Sequence, residues 1–303
     1  MNLHTLHEAP PDWLGAALER FEQQFVYPLG SGGSFRISHG REYLPFFSAM
    51  GRATLLVAEE AGEVLGTLAR VERWIEFRAP AAMKQLVHYL ADLKISPQAR
   101  GGRVLARLMS AAKDQIEQTG SRSCYGIAMG GSARLPDAYT GRLGIPAFER
   151  LADLMILRIS PGPSSAPPGT AIPAVEPLPA CIVTGGRREL RSLMPPVPLP
   201  CSAWLEDTRR AKRLWNGHGD EMLSAHLSSF YFDDPARGAA VIRAAVHELS
   251  RHALPALFTA VPLSRYPALR SELPGLQFTE APAAVFGYRL SRDHDWWVDT
   301  AEI

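Results

Sequence analysis

One stretch, residues 89–109 (YLADLKISPQARGGRVLARLM), limits the possible folds of this 303-residue chain more than any other. Residues 88–95 are apolar and rich in strand-forming residues, a Ser-Pro pair interrupts them, and apolar residues then recur at helical spacing from Val104. The pattern predicts a strand, a glycine-rich turn and a helix that begins at once. Because the first N–H groups of a helix have no partner within it, this turn is a candidate anion site.

Two arginines strengthen that prediction. Arg100 and Arg103 flank Gly101 and Gly102. Glycine lets the backbone approach an anion without a Cβ in the way, and guanidinium groups have donors that suit phosphate. The same residues would also suit an ordinary strand-to-helix turn with surface arginines. The prediction of an anion site therefore depends mainly on the strand and helix that flank the motif.

The stretch resembles the acyl-CoA-binding motif of the GNAT N-acetyltransferases. In that family strand four ends in Val/Ile-x-Pro, and Gln/Arg-x-x-Gly-x-Gly/Ala leads into a helix. Residues 95–97 fit the strand end, residues 98–102 fit the first five loop positions, and Arg103 departs from the sixth. The resemblance implies that acetyl-CoA, or another acyl-CoA, is bound by Leu93, Lys94, Ile95, Gln98, Ala99, Arg100, Gly101, Gly102, Arg103 and Val104.

The surrounding pattern suits the same fold class, an α/β protein with a twisted mixed sheet flanked by helices. Residues 54–75 read as a hairpin with glycine at its tip, and the focal helix spans 104–119. A strand at 123–129 follows, and in GNAT folds it splays from strand four so that the pantetheine arm lies in the gap. Residues 145–151 are predicted as a helix, and residues 154–159 as a closing strand.

Length and composition predict two domains or one large one. The Pro/Gly/Ser-rich run at 161–180 is typical of a linker. We therefore predict an acyl-CoA-binding GNAT domain at 1–160 and a second, degenerate GNAT-like domain at 181–303.

The second domain is inferred from an internal repeat. A shift of 137 positions aligns Ala-Arg-Gly at 99–101 with the same residues at 236–238, and places Val104 over Val241. Residues 201–214 and 222–232 are predicted as strands before the second loop. Since Asp233 and Asp234 precede that loop, we expect it to bind a diphosphate weakly or not at all. The second copy would instead shape the acceptor cleft, with the tryptophans of the tail docked against the core.

Charge and cysteine content narrow the function class. The formal net charge of +1 does not support a nucleic-acid footprint, and no apolar run is long enough for a membrane span. The three cysteines have no metal spacing and read as reduced thiols. A cytoplasmic protein without nucleic-acid or membrane partners is therefore expected. The sequence leaves the oligomeric state open.

Acyl transfer to an amine needs a base for the amine proton and often an acid for the thiolate. Strict strand alternation would put Asp92 on one face with His88, and Asp92 is the preferred base. The resemblance implies a Tyr acid in the helix after strand five, but Phe148 stands at the matching position, so Tyr139 is the candidate substitute, with Tyr125 a further possibility.

Three functions remain open at this level. The first is direct transfer from acetyl-CoA to a small-molecule or peptidyl amine, without an acyl-enzyme, which makes Cys124 a small apolar strand residue rather than a nucleophile. The second is a catalytically inactive CoA-binding regulatory or interaction protein. The third is an interaction protein that binds no nucleotide.

Overall fold

The computed structural model describes residues 1–30, 33–77, 83–132, 134–142, 144–161, 189–192, 202–209, 211–251, 254–293 and 295–303. The strands are β1 Asn2–Leu6, β2 Tyr27–Leu29, β3 Gly33–Ser38, β4 Arg52–Glu60, β5 Glu63–Phe77, β6 Met83–Ile95, β7 Cys124–Met129, β8 Glu149–Pro161, β9 Glu189–Ser192, β10 Ser202–Asp207, β11 Arg213–Asn216, β12 Ala225–Tyr231, β13 Leu257–Pro262 and β14 Leu276–Tyr288. The helices are α1 Asp12–Glu22, α2 Leu44–Ser48, α3 Val104–Glu117, α4 Pro136–Tyr139, α5 Pro235–Arg251 and α6 Tyr266–Ser271, with 3₁₀ turns at Pro97–Ala99 and Thr300–Glu302.

In this part of the chain, eleven strands form one mixed sheet in the order β1-β4-β5-β6-β7-β14-β8-β13-β12-β10-β9. A small antiparallel sheet, β11-β3-β2, joins one strand of the second half to two of the first. The predicted strand–turn–helix is present as β6, the 3₁₀ turn and α3. The hairpin at 54–75 is present as β4 and β5.

The centre of the large sheet shows that the two halves exchange a strand. In the first half β6 runs parallel to β7, and in the second half β12 runs parallel to β13. β14, from the end of the chain, pairs antiparallel with β7, while β8, from the first half, pairs antiparallel with β13. β8 and β14 also pair with each other, so the order is approximately symmetric about that pair. A repeated fold explains this arrangement.

Helix α3 is held on the sheet by one apolar stripe. Val104, Leu108, Ala112 and Ile116 are buried at intervals of four residues, as the helical period requires. They belong to two neighbouring apolar clusters, the larger of which includes Leu68 of β5. Burial of a leucine side chain such as Leu108 contributes about 1.5–3 kcal/mol. The stripe fixes the start of α3 next to the end of β6.

The prediction of a helix at 145–151 is wrong. The described residues there hold no helix, and β8 begins at Glu149. β8 pairs along its length with β14, more than a hundred residues away in sequence. This long-range pairing overrides a local apolar pattern that a short window cannot assign to helix or strand.

The single strand predicted at 201–214 is also wrong, because two strands in different sheets occupy it. β10 belongs to the large sheet and β11 to the small one. A turn separates them, in which the carbonyl of Thr208 accepts hydrogen bonds from the N–H groups of Ala211 and Lys212. A change of sheet partner has no signature in the local sequence.

The tail docks against the core, as predicted. Trp296 is buried and packs against Tyr125 of β7, with ring centroids 5.6 Å apart. The Trp297 ring lies edge-on to Phe232, at 5.1 Å. The predicted linker, 161–180, lies outside the described residues except for Pro161, which ends β8. Within the described residues, no helix has the length and apolar character that crossing a membrane requires.

Candidate active site

Strands β6 and β7 open into a wedge. In the described residues they pair only at His88 with Cys124 and at Tyr89 with Tyr125. The other edge of β7 pairs with β14 along its whole length, from Cys124 to Met129. A Cβ added at Gly126 would lie 2.8 Å from the carbonyl oxygen of Leu90, so only glycine fits where the strands part. The backbone of β6 facing the wedge is therefore available to an extended ligand.

A β-bulge lies on the β6 side of the wedge. Lys94 pairs with Thr67 and Ala91 pairs with Ala69, so the two residues between them on β6 oppose one residue on β5. Asp92, in this bulge, has a φ of 54°, the left-handed region. The prediction that Asp92 and His88 lie on the same face of β6 is therefore wrong. Asp92 hydrogen-bonds the hydroxyl of Tyr43, in the same apolar cluster as Ala91.

The loop before α3 keeps its cationic and backbone donors exposed. Gly101 has a φ of 82°, which glycine adopts without strain. No side chain caps the N-terminus of α3. Arg100 and Arg103 are exposed, and no described residue forms an ion pair with either. The free N–H groups and two guanidinium groups thus point to an anion site.

The matching loop of the second half is blocked. The carboxylate of Asp234 accepts a hydrogen bond from the N–H of Ala236, 3.0 Å away, and so caps α5. Arg237 lies 3.9 Å from both Asp233 and Asp234. A Cβ at Gly238 would meet the ring of Phe232 at 2.7 Å. The Asp234 carboxylate therefore already occupies the start of α5, whereas no side chain caps the start of α3.

A cavity of about 260 Å³ lies beside the wedge. Both candidate catalytic residues, Asp92 and Tyr139, line it, together with Leu93 of the predicted cofactor-binding set. The other predicted cofactor residues, Lys94, Ile95 and Gln98 to Val104, do not line it. The cavity wall is mostly apolar, and its other polar or charged members are Tyr27, His39, Tyr89, Ser132, Arg134, Thr140, Lys212, His226, Thr300 and Glu302.

The second half supplies one wall of that cavity. Lys212 donates to the backbone oxygens of Thr300 and Ile303, at 3.3 and 2.5 Å. Arg73 of β5 pairs with Glu302 at 2.5 Å. A histidine, His226, stacks on Phe258 and contacts the hydroxyl of Thr300. These contacts hold the end of the chain against the sheet.

A buried charge network borders the cavity. The Glu22 carboxylate lies 2.7 Å from Nδ1 of His39 and 2.9 Å from Nζ of Lys94. Lys94 lies 2.6 Å from Asp92, whose other oxygen accepts the Tyr43 hydroxyl. Glu22, His39 and Lys94 are 2, 7 and 3% exposed, so each charge depends on its partners rather than on water.

Burial and neighbouring charges shift several pKa values in this network. Burial raises the pKa of Glu22, but the nearby Lys94 and His39 outweigh it and lower the pKa to about 2. Burial lowers the pKa of Lys94, but Asp92, Tyr43 and Glu22 raise it well above its usual value. Burial, with Asp92 next, raises the pKa of Tyr43 well above 10. Glu22 and Lys94 are therefore charged, and Tyr43 is a neutral donor.

The same carboxylates do not form a metal site. Ligand atoms of Glu22, His39 and Asp92 lie within 4.8 Å of one another. However, the Lys94 ammonium is within 2.9 Å of both carboxylates and occupies the position of a cation. The Lys94 ammonium therefore already neutralises the carboxylates that would otherwise bind a metal ion.

The aromatic hydroxyl groups near the wedge are neutral. Burial, and then Asp137, raise the pKa of Tyr139 to about 12. Burial raises the pKa of Tyr125 above its usual range. Phe148, at the position of the family Tyr, lines the cavity and packs in a cluster with Ile116 and Phe286. Burial raises the pKa of the Cys124 thiol to about 12, which agrees with a structural rather than nucleophilic cysteine.

Sequence reasoning missed Glu22, His39 and Tyr43. They come from α1, from the loop after β3, and from the start of α2, and the ion pair of Glu22 with Lys94 spans 72 residues. No spacing rule joins positions so far apart. The weak signal was the presence of titratable residues among apolar neighbours at the ends of these elements.

Comparison with solved structures identifies the fold. No family model matches the sequence, and no curated protein matches it significantly. Saccharomyces cerevisiae N-myristoyltransferase with bound myristoyl-CoA superposes with a TM-score of 0.55 at 10% identity, covering 96% of this chain and 84% of that one. A tandem GNAT protein from the clavulanic acid biosynthesis pathway matches with a TM-score of 0.45 at 14% identity, covering 78% of this chain and 82% of that one. The predicted fold class, an α/β protein with two tandem GNAT-like halves, is confirmed.

Proposed function

We propose that this protein is an acyl-CoA-dependent N-acyltransferase that transfers the acyl group directly to an amine. The first half, residues 1–160, would bind the donor, and 181–303 would complete the acceptor cleft without binding CoA. One observation carries the proposal: the start of α3, with no side-chain cap and with two arginines that form no ion pair within the described residues, lies at the open end of the β6–β7 wedge.

The donor's diphosphate would bind at the loop. The first N–H groups of α3 are oriented toward the loop, and Gly101 and Gly102 leave room for close approach. Arg100 and Arg103 would add charge-assisted hydrogen bonds. The pantetheine arm would then pair with β6 along Leu93 to Ile95. In that stretch Lys94 contributes its backbone only, because its ammonium is paired with Glu22 and Asp92.

The cavity would hold the acceptor amine and the leaving sulfur. A neutral Tyr139, with its pKa near 12, can donate a proton to a thiolate, which Phe148 cannot. Asp92, which the sequence suggested as the base, lines the same cavity. The acceptor is a small-molecule or peptidyl amine.

The acyl chain need not be acetyl. A second cavity of about 100 Å³ shares Leu90, Met109 and Phe148 with the first and is lined mostly by apolar residues. An apolar extension of this kind suits an acyl chain longer than two carbons. The fold match to an N-myristoyltransferase crystallised with myristoyl-CoA adds support for testing long donors.

A CoA-binding protein without turnover is the second candidate. Phe148 favours it, because this residue replaces the proton donor that the family resemblance implies. Acyl transfer by the wild-type protein would separate the two candidates, since both predict donor binding.

The direct test is calorimetric titration with CoA, acetyl-CoA and acyl-CoAs of increasing length. Arg100→Ala with Arg103→Ala should weaken CoA binding roughly 100-fold or more, since each charged hydrogen bond contributes about 1.5–3 kcal/mol. Arg237→Ala, the matching arginine of the second half, is the control and should leave affinity unchanged. Equal affinity in the double variant and the wild type would place the diphosphate elsewhere and refute the proposal.

A further inference from the structure

We infer that His39, oriented by Glu22, is the general base that accepts the proton of the acceptor amine. The inference rests on the proposed function and names a residue that the acyl transfer requires. It comes from the geometry around one imidazole ring and not from the family motif, which lies sixty residues further along the chain.

Glu22 holds His39 from two sides. One carboxylate oxygen lies 2.7 Å from Nδ1 of the ring, and the other accepts the backbone N–H of His39 at 2.8 Å. Three aromatic rings, those of Tyr43, Phe46 and Phe47, lie 4.9–5.1 Å from the imidazole. The ring therefore has one orientation. A carboxylate at Nδ1 also fixes the tautomer, because Nδ1 must carry the proton it donates.

This tautomer leaves the second nitrogen basic. His39 lines the cavity, and no described residue hydrogen-bonds its Nε2. An unprotonated Nε2 at a cavity wall can accept a proton from a bound amine. The carboxylate behind the ring then stabilises the imidazolium that forms.

Asp92 is less suited to this task, although it lines the same cavity. One of its oxygens lies 2.6 Å from the Lys94 ammonium, and the other accepts the hydroxyl proton of Tyr43. Each oxygen of the Asp92 carboxylate thus already accepts from a donor of this chain. Asp92 instead holds Lys94, which also contacts Glu22 and the hydroxyl of Tyr43.

The proton and electron balance is simple. The acceptor binds as an ammonium ion and first gives one proton to Nε2 of His39, which frees the lone pair of its nitrogen. The neutral amine then forms its bond to the thioester carbon, the C–S bond breaks, and the electron pair leaves on sulfur. The thiolate takes a proton from Tyr139, Tyr139 regains one from the acylated nitrogen, and the proton on His39 passes to water. The network next to His39 contains two carboxylates and one ammonium.

The decisive variant is His39→Asn. The Asn amide can replace the Nδ1 donor to Glu22 but supplies no base at the position of Nε2. The control is His226→Asn, because His226 lines the same cavity and contacts Thr300. Calorimetric affinity for CoA should match the wild type in both variants, and a melting temperature well above the assay temperature in both separates a chemical defect from a folding one.

Transfer is followed by the loss of thioester absorbance, with acetyl-CoA or the tightest-binding acyl-CoA and two kinds of nucleophile. Primary amines from ethylamine to glycylglycine are protonated at neutral pH and need a base, whereas hydroxylamine is largely unprotonated. We expect His39→Asn to lower kcat/KM about 10²- to 10⁴-fold with the amine, and much less with hydroxylamine. His226→Asn should lose less than tenfold with either.

A wild-type rate in His39→Asn, or an equal loss with both nucleophiles, would overturn the assignment while leaving the acyltransferase proposal intact. Absence of transfer by the wild-type protein would overturn both. The role of Glu22 is tested by ¹⁵N NMR of the imidazole. The wild type should show the proton on Nδ1, and Glu22→Gln should raise the fraction protonated on Nε2. An Nε2-protonated ring in the wild type would also refute the assignment.

Discussion

Replacing Lys94 by Met should destabilise this protein strongly, because the substitution removes the cation that lies between the buried carboxylates of Glu22 and Asp92. In the described residues, Nζ of Lys94 is 2.9 Å from Glu22 and 2.6 Å from Asp92. Met has a similar length and keeps the apolar contacts. The substitution therefore tests the contribution of the charge to stability separately from that of packing.

The magnitude follows from Glu22. A pKa of about 2 against an ordinary 4.5 corresponds to about 3 kcal/mol of stabilisation of the charged form, much of it from Lys94. Removal of one partner of a buried ion pair generally costs about 3–5 kcal/mol, which agrees. We therefore expect a loss of about 3 kcal/mol, or roughly 6–12 °C in melting temperature for a chain of this size.

The loss should depend on pH with a defined sign. The wild-type contribution of Glu22 is fully present above its ordinary pKa of 4.5 and is lost as pH falls towards 2. In Lys94→Met the pKa of Glu22 loses the lowering effect of Lys94, so its carboxylate protonates at a higher pH than in the wild type and acid reduces the cost of the substitution. The difference in unfolding free energy between the two proteins should therefore be largest near pH 7 and shrink by pH 4.5.

Urea unfolding followed by tryptophan fluorescence at pH 7 and pH 4.5 measures this difference. Lys113→Met is the matched control, since Lys113 lies 3.8 Å from Glu117 on the exposed face of α3 and such a pair contributes less than about 1 kcal/mol. A loss below about 1 kcal/mol in Lys94→Met, or one equal at both pH values, would show that the network does not stabilise the fold as argued.

Two further predictions concern single side chains at the wedge. Tyr139→Phe should lower the rate of acyl transfer by about tenfold or more without changing the calorimetric affinity for acyl-CoA, because the phenol is needed only when the thiolate leaves; an unchanged rate would assign the proton donor elsewhere. The Cys124 thiol, whose pKa burial raises to about 12, should resist iodoacetamide at pH 8 in the native protein and react after urea unfolding, as intact-mass spectrometry can show. Rapid native alkylation would contradict its buried, protonated state.

The elements that the sequence predicted well are those whose pattern is local. The stripe from Val104 to Ile116 follows the helical period, and the glycine at the tip of the β4–β5 hairpin separates two clear strands. The repeat at 137 positions predicted the second copy. Asp233 and Asp234 indicated its blocked loop, where Asp234 caps α5.

The wrong predictions have one cause: residues distant in sequence determine the local structure. Residues 145–151 contain an apolar pattern compatible with a helix, yet pairing with β14 makes the segment from Glu149 a strand. The bulge opposite Leu68 turned Asp92 to the face opposite the one that strict alternation assigned. Neither feature can be read from a window of ten residues.

The sequence by itself determined the strand, the glycine turn and the helix of the donor loop, since periodicity, Gly101 and two arginines all act within residues 89–109. Only the tertiary structure decided the exchange of β8 and β14 and the meeting of Glu22, His39 and Lys94. A buried charge is stable only beside its counterpart. Where the backbone brings these side chains together therefore depends on the packing of the whole chain.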